Sequence, residues 1–271
     1  DLPDAMREAV KTLRGSFTLL AVHADNPGVI VGVRRNSPLV LGVGDNEYFL
    51  ASDVAAFIEY TKRAVELGQD EIVVITPDGF EITDLDGNAQ TPREYQVTWD
   101  AEAAQKGGFS HFMLKEIFEQ PKAVADTLIG RLTDNNQIEL DELKMSDEEI
   151  RALKKIVVIA CGTAYHAGMI AKYAIEKWAK ISVEVEIASE YRYRDPIIDA
   201  QTLVIAISQS GETMDTLMAL RHAKAAGARV LAICNTNSST IPRESDAVLY
   251  THAGPEIAVA STKAFLTQVV A

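Results

Sequence analysis

The segment IAISQSGETMDT, Ile205 to Thr216, sets three hydroxyls (Ser208, Ser210 and Thr213), one amide (Gln209) and Gly211 within six residues. A β-branched run over residues 202–207 reads as a buried parallel strand. Met214, Leu217 and Leu220 after it recur at helical spacing. The polar cluster therefore falls where a strand ends and a helix begins. The first-turn amides of such a helix lack intrahelical acceptors, and its dipole is positive at that end. A junction of this kind binds anions. No Lys or Arg interrupts it, so the chemistry is that of a phosphate held by neutral donors. Ser and Thr are also common N-caps and Ser-Gly a common turn, so this loop alone is equally compatible with a capping turn.

Similar loops recur. Residues 156–160 run into Cys161, Gly162 and Thr163. Residues 230–234 run into Asn235, Thr236, Asn237, Ser238 and Ser239. Val259, Ala260, Ser261, Thr262 and Lys263 precede a last helix. Val/Ile-rich runs alternating with amphipathic helices from residue 155 onward mark a parallel sheet covered on both faces. Such a doubly wound α/β domain binds ligands at the carboxyl ends of its strands. Its expected strands are 156–160, 183–187, 202–207, 230–234 and 247–251; its helices are 164–180, 213–226 and 262 onward. Several hydroxyl-bearing loops on one edge suit a phosphorylated polyol. Each hydrogen bond to the charged group contributes roughly 1.5–3 kcal/mol.

Residues 1–100 have another texture. Short strands are expected at 17–23, 29–33, 39–43, 47–51, 72–76 and 80–83, with Pro77-Asp78-Gly79 as a hairpin turn. Tight turns between neighbours mean antiparallel sheet, with a covering helix expected over residues 53–67. The texture changes near Trp99. Residues 101–106 with Gly107-Gly108 read as a polar joint, 111–127 as a helix punctuated by Pro121, and 134–149 as an acidic, solvated loop.

The 271 residues fit two domains, and 47% hydrophobic content is ample for their cores. A net charge of −13 argues against nucleic acid and anionic membrane surfaces as partners. Cys161 and Cys234 form no C-x-x-C pair and read as packed thiols of a reducing, cytoplasmic compartment. No signal peptide or membrane-spanning run is visible. The chain opens on Asp1 rather than Met and closes inside a helical pattern, as a piece of a longer protein would. No G-x-G-x-x-G fingerprint, P-loop lysine or metal-ligand spacing occurs, so neither cofactor nor metal is expected. His166 reads as a surface or packed helix residue rather than a general base. Glu212 favours the helix dipole, orients Gln209 or touches substrate; Lys263 reads as structural.

CGTAYHAG (161–168), EIASEYRYRDP (186–196), SQSGETMDT (208–216), LAICNTNSSTIPRESD (231–246) and GPEIAVASTKAF (254–265) resemble the first sugar-isomerase (SIS) domain of the isomerising glutamine–fructose-6-phosphate aminotransferases. HFMLKEIFEQP (111–121) resembles the segment leading into that domain. LRGSF (13–17) and RRNSPLVLGVGDNEYFLASD (34–53) resemble the second half of their class II glutaminase domain. The resemblance implies the end of a glutaminase domain over 1–100, a linker with leading helices over 101–146, and a truncated SIS domain over 147–271.

It further implies an enzyme that takes ammonia from glutamine and converts fructose 6-phosphate to glucosamine 6-phosphate in amino-sugar synthesis. A homodimer with no dissociable cofactor is implied as well. Carried over residue by residue, Ser208, Gln209, Ser210 and Thr213 hold the phosphate and nearby hydroxyls. Thr163 meets the sugar end, while Val259 and Ser261 close the pocket. Ala164 stands where the family often has a hydroxyl. The family's nucleophilic cysteine and its isomerisation residues match nothing here, so no catalytic residue is assigned and the piece is expected to bind phosphosugar without completing either half-reaction. A non-catalytic SIS-type regulator and a simple phosphosugar isomerase are the rival readings. The first would bring a basic DNA-binding helix; the second has no use for a glutaminase-like half.

Overall fold

The computed structural model describes residues 1–97, 106–132, 135, 137–237 and 239–271, without the side chain of Asp141. Trp99, Asp134 and Ser238, with the expected joint up to residue 105, lie outside them. The chain divides into two compact units, Asp1–Ala104 and Gln105–Ala271.

In the first unit, helix α1 (Leu2–Thr12) starts under an Asp1 cap and buries Met6 and Val10. These pack on Val31, Val33, Ile72 and Val74 of an antiparallel sheet. That sheet has the order β1 (Phe17–Ala21), β2 (Ile30–Arg35), β6 (Ile72–Thr76), β7 (Gly79–Thr83). Thr76 pairs with Gly79, so Pro77-Asp78 makes the expected tight hairpin turn. A second antiparallel sheet runs β4 (Tyr48–Ala51), β3 (Val40–Val43), β5 (Arg63–Glu66), β8 (Arg93–Gln96). Leu41, Val43 and Val65 of this sheet share one core with Val73, Ile75 and Ile82 of the first. The sequence thus yields two stacked sheets whose inward residues alternate with outward ones.

The helix expected over residues 53–67 is not formed. Val54–Ala56 is one 3₁₀ turn, with Asp53 accepting from Ala55 N at 2.8 Å, and residues 63–66 are strand β5. Long-range pairing outweighs the local helical pattern. Leu41 pairs with Val65 on one side of β5, and Val65 with Glu94 on the other. Phe57 is buried so close to β3 that a Cβ on Gly42 would lie 2.8 Å from its ring. Helix α1 and strand β8 were not expected from the sequence.

The second unit opens with α2 (Phe112–Leu128), which continues through Pro121. The acidic stretch after it is not all loop: Asp141–Leu143 is a 3₁₀ turn, and α3 (Asp147–Ala152) begins in a Ser146–Glu149 capping box. Then follow β9 (Lys155–Ala160), α4 (Gly162–Trp178), β10 (Ser182–Ile187), α5 (Ala188–Tyr191), β11 (Thr202–Ser208), α6 (Met214–Ala225), β12 (Arg229–Cys234), α7 (Thr240–Glu244), β13 (Ala247–Tyr250) and α8 (Lys263–Val270). The five strands are all parallel, in the order β10-β9-β11-β12-β13.

Alternate residues of each strand enter opposite cores. Val157, Ile159, Val204 and Ala206 pack on Leu217 and Leu220 of α6, while Ile156, Val158, Leu203 and Ile205 share the other core with Ala164 of α4. A sheet buried on both faces explains the unbroken Val/Ile runs. The architecture is α/β: antiparallel sheets in the first unit and a doubly wound parallel sheet in the second. No helix of the described residues is long and apolar enough to cross a membrane.

Candidate functional site

Strand β9 lies between β10 and β11, and the chain leaves it to β10 on one side and returns to β11 on the other. The loops after β9 and β11 therefore diverge, and ligands of such sheets bind in the crevice between them. Register places the loops level: Ala160 pairs with Ile207, and Ser208 pairs with Cys234 of β12.

The loop after β11 is folded on itself. Ser208 is 2% exposed, and its Oγ accepts from Gly211 N at 3.0 Å. Ser210 Oγ accepts from Glu212 N at 3.2 Å. Each oxygen that accepts a backbone N–H still keeps its own proton, so both serines remain able to donate. Ser208 Oγ and Thr213 Oγ1 are 2.9 Å apart. The loop is anchored from below by β12's loop: Asn235 N donates to Gln209 O at 3.1 Å, and Ile241 N to Gly211 O at 2.9 Å. Gly211 has φ +67°, and a Cβ there would lie 2.0 Å from Ser239 Oγ. Only glycine suits this position.

Side-chain capping is present at some helix starts and absent at others, the two at the crevice included. Asp1 and Ser146 cap α1 and α3 with their side chains. Cys161 before α4 and Thr213 before α6 make no such bond, although both helices start at the crevice. Their first-turn amides carry the positive helix end into it. Among residues 208–213 the one formal charge is Glu212. Its carboxylate accepts from Thr240 N at 2.8 Å and Thr240 Oγ1 at 3.0 Å. It thus ties the loop to α7.

Thr163, expected in a loop, stands exposed in the first turn of α4, because the helix begins at Gly162. Ala164 turns inward and packs with the strand core. His166 is exposed. Val259 and Ser261 follow β13, two strands from β11. Val259 is fully exposed, and Ser261 Oγ donates to Glu256 at 3.0 Å. The structure joins Ser208, Ser210, Gly211 and Thr213 in one hydrogen-bonded loop and leaves Val259 and Ser261 on a separate strap. Asn235 connects the two regions: it donates to Gly254 O at 2.7 Å and accepts from Ala253 N at 2.8 Å. Lys263 is 3% exposed and paired with Glu119 at 2.6 Å, a structural arrangement. Burial pushes the Cys234 thiol up to about 12, so it is no nucleophile at neutral pH. Among the described residues no group of three His, Cys, Asp or Glu gathers to hold a metal ion. Glu116 and Glu256, which shape the strap, carry no local signal in the sequence.

Residues 149–271 match the SIS domain family. The entire chain aligns with a glutamine–fructose-6-phosphate aminotransferase (isomerizing) of Streptomyces coelicolor at 68% identity, covering 44% of that protein. The chain is thus similar along its entire length to part of the isomerising glutamine–fructose-6-phosphate aminotransferases. A second member, from Corynebacterium diphtheriae, is 61% identical over all of this chain and 43% of its own length. The chain thus spans less than half the length of the curated relatives it matches. Among solved structures, the C-terminal domain of the Francisella tularensis glucosamine-fructose-6-phosphate aminotransferase is similar, with 50% identity and a TM-score of 0.57. That similarity covers 61% of this chain and 47% of the Francisella chain.

Proposed function

We propose that residues 147–271 form the phosphosugar-binding part of an aminotransferase that converts fructose 6-phosphate and glutamine to glucosamine 6-phosphate and glutamate. Residues 1–100 then belong to the glutaminase domain and 101–146 lead into the isomerase part. The observation that carries this reading is the loop Ser208–Thr213. Two serine oxygens each accept a backbone N–H, which leaves their own protons available to an anion, beside a helix start whose Thr213 side chain makes no capping bond. A phosphate dianion there receives the hydroxyls of Ser208, Ser210 and Thr213, the Gln209 amide and the first-turn N–H groups of α6. The Ser208–Thr213 contact opens to the ligand without loss of a partner. Thr163, at the start of the neighbouring helix, faces the sugar end. Val259 and Ser261 cover it from the strap.

Both cysteines are free thiols, consistent with work in the cytoplasm. Exposed Met113, Leu114, Ile117 and Phe118 on α2 support a homodimer through the second unit. Removing the Ser208 and Thr213 hydroxyls together (Ser208→Ala with Thr213→Ala) is expected to weaken fructose 6-phosphate binding at least tenfold, about 1.4 kcal/mol. Titration calorimetry measures it, and unchanged affinity rejects the site.

A further inference from the structure

The strap that carries Val259 and Ser261 has no regular structure between β13 and α8, yet carboxylates and an amide pin it at three places. At its start, Asn235 holds Ala253 N and Gly254 O. At its end, Glu256 Oε1 accepts from Thr262 N at 2.8 Å and Ala264 N at 3.1 Å, while Oε2 holds Ser261 Oγ. In the middle, Glu116 reaches across from α2. Its Oε1 accepts from Ile257 N at 2.7 Å and Ala258 N at 3.1 Å.

Glu116 is 2% exposed, and its Oε2 is buried with no hydrogen-bond partner. A carboxylate is costly to bury, and here two charge-assisted N–H bonds from one strap offset that cost. The same helix fastens the start of α8, since Glu119 pairs with the buried Lys263 and lies 3.5 Å from Lys115. Between the Glu116 and Glu256 clamps, Val259 and Ala260 are held out in solvent. An apolar tip suspended in water between two fixed points is poised for a ligand rather than for a core.

We propose that Glu116 is a positioning residue for sugar binding: it fixes the strap so that the backbone and side chains of Val259 to Ser261 meet the sugar. This rests on the phosphosugar reading above. The test compares fructose 6-phosphate affinity by calorimetry in the unaltered chain, Glu116→Ala, Glu116→Gln and the Ser208→Ala/Thr213→Ala double variant. Thermal melts without ligand run alongside. Glu116→Ala is expected to weaken the sugar phosphate at least fivefold, whereas Glu116→Gln, which keeps an acceptor oxygen, stays within twofold of the unaltered chain.

Equal losses in the Ala and Gln variants would show that charge rather than the two amide bonds matters, and would overturn the assignment. Full affinity in Glu116→Ala beside weakened binding in the double variant would overturn it while leaving the phosphosugar site intact. Full affinity in every variant would remove both. Should Glu116→Ala not fold, hydrogen exchange on the unaltered chain decides. The amides of Ile257 and Ala258 are expected to exchange at least tenfold more slowly than those of Val259 and Ala260, and equal rates refute the clamp.

Discussion

Two buried acids, Cys234 and Tyr191, are not part of the proposed site but govern how the second unit tolerates alkali. Burial pushes the Cys234 thiol from 9.0 up to about 12. It likewise pushes the Tyr191 phenol from 10.0 up to about 12. Tyr191, at the end of α5, is fully buried, with its hydroxyl unpartnered in the core it shares with α6. In the unfolded chain both groups ionise near their ordinary values, whereas the folded chain keeps both protons. Unfolding therefore releases protons above about pH 9. The stability these groups contribute is complete below that point and is lost as the pH climbs toward 12. Urea titrations from pH 8 to 10.5 are expected to show falling stability, with a shallower decline in the Cys234→Ala/Tyr191→Phe double variant. An identical slope would contradict the assignment. Tyr191→Phe alone is expected to leave stability at pH 7 unchanged or raise it by about 1 kcal/mol, since it removes a buried hydroxyl that has no partner.

At the scale of elements, the loop between β11 and α6 depends on one backbone position. Gly211 adopts a left-handed φ while Ser239 closes on its α-carbon. Gly211→Ala is expected to cost about 2–4 kcal/mol in a denaturant titration, as strain and overpacking combine. The same variant is expected to weaken sugar-phosphate binding, because the clash with Ser239 displaces the backbone N–H of residue 211 that orients Ser208. A loss under 0.5 kcal/mol would show that the loop is not held as described. The parallel strands were legible in the sequence because both faces are buried, and their Val/Ile runs carry that burial directly. Strand β5 was not legible. Residues 53–67 repeat apolar side chains at helical spacing, and only pairing with Leu41 and Glu94 makes 63–66 extended. Strand β8 is short and mostly exposed, so its pattern carries no hydrophobic signal. The two-turn stretch at 141–152 hid behind its acidity, although the Ser146–Glu149 capping box was readable in the residues.

At the scale of the whole molecule, the two units have separate cores and different sheet types. The candidate loop at 208–213 was readable in the sequence because its hydroxyls and amide lie within six residues of one another. The strap's clamps were not, because Glu116 and Ile257 are 141 residues apart and meet only in the fold. Family resemblance named Val259 and Ser261 without showing what holds them, and the packing of α2 against the strap supplies that. A net charge of −13 leaves the molecule as a whole repelling anions, so phosphate affinity has to arise locally from oriented neutral donors. Binding is accordingly expected to change little, within about threefold, between 50 and 300 mM NaCl in calorimetry. A steep decline would point to a cationic site elsewhere.

The most direct measurement is a crystal structure of this chain with fructose 6-phosphate. Phosphate oxygens are expected about 2.6–3.1 Å from the hydroxyls of Ser208, Ser210 and Thr213, with the sugar directed toward Thr163 and the 259–261 strap. A sugar phosphate bound with its phosphorus remote from residues 208–213 would contradict the proposed site.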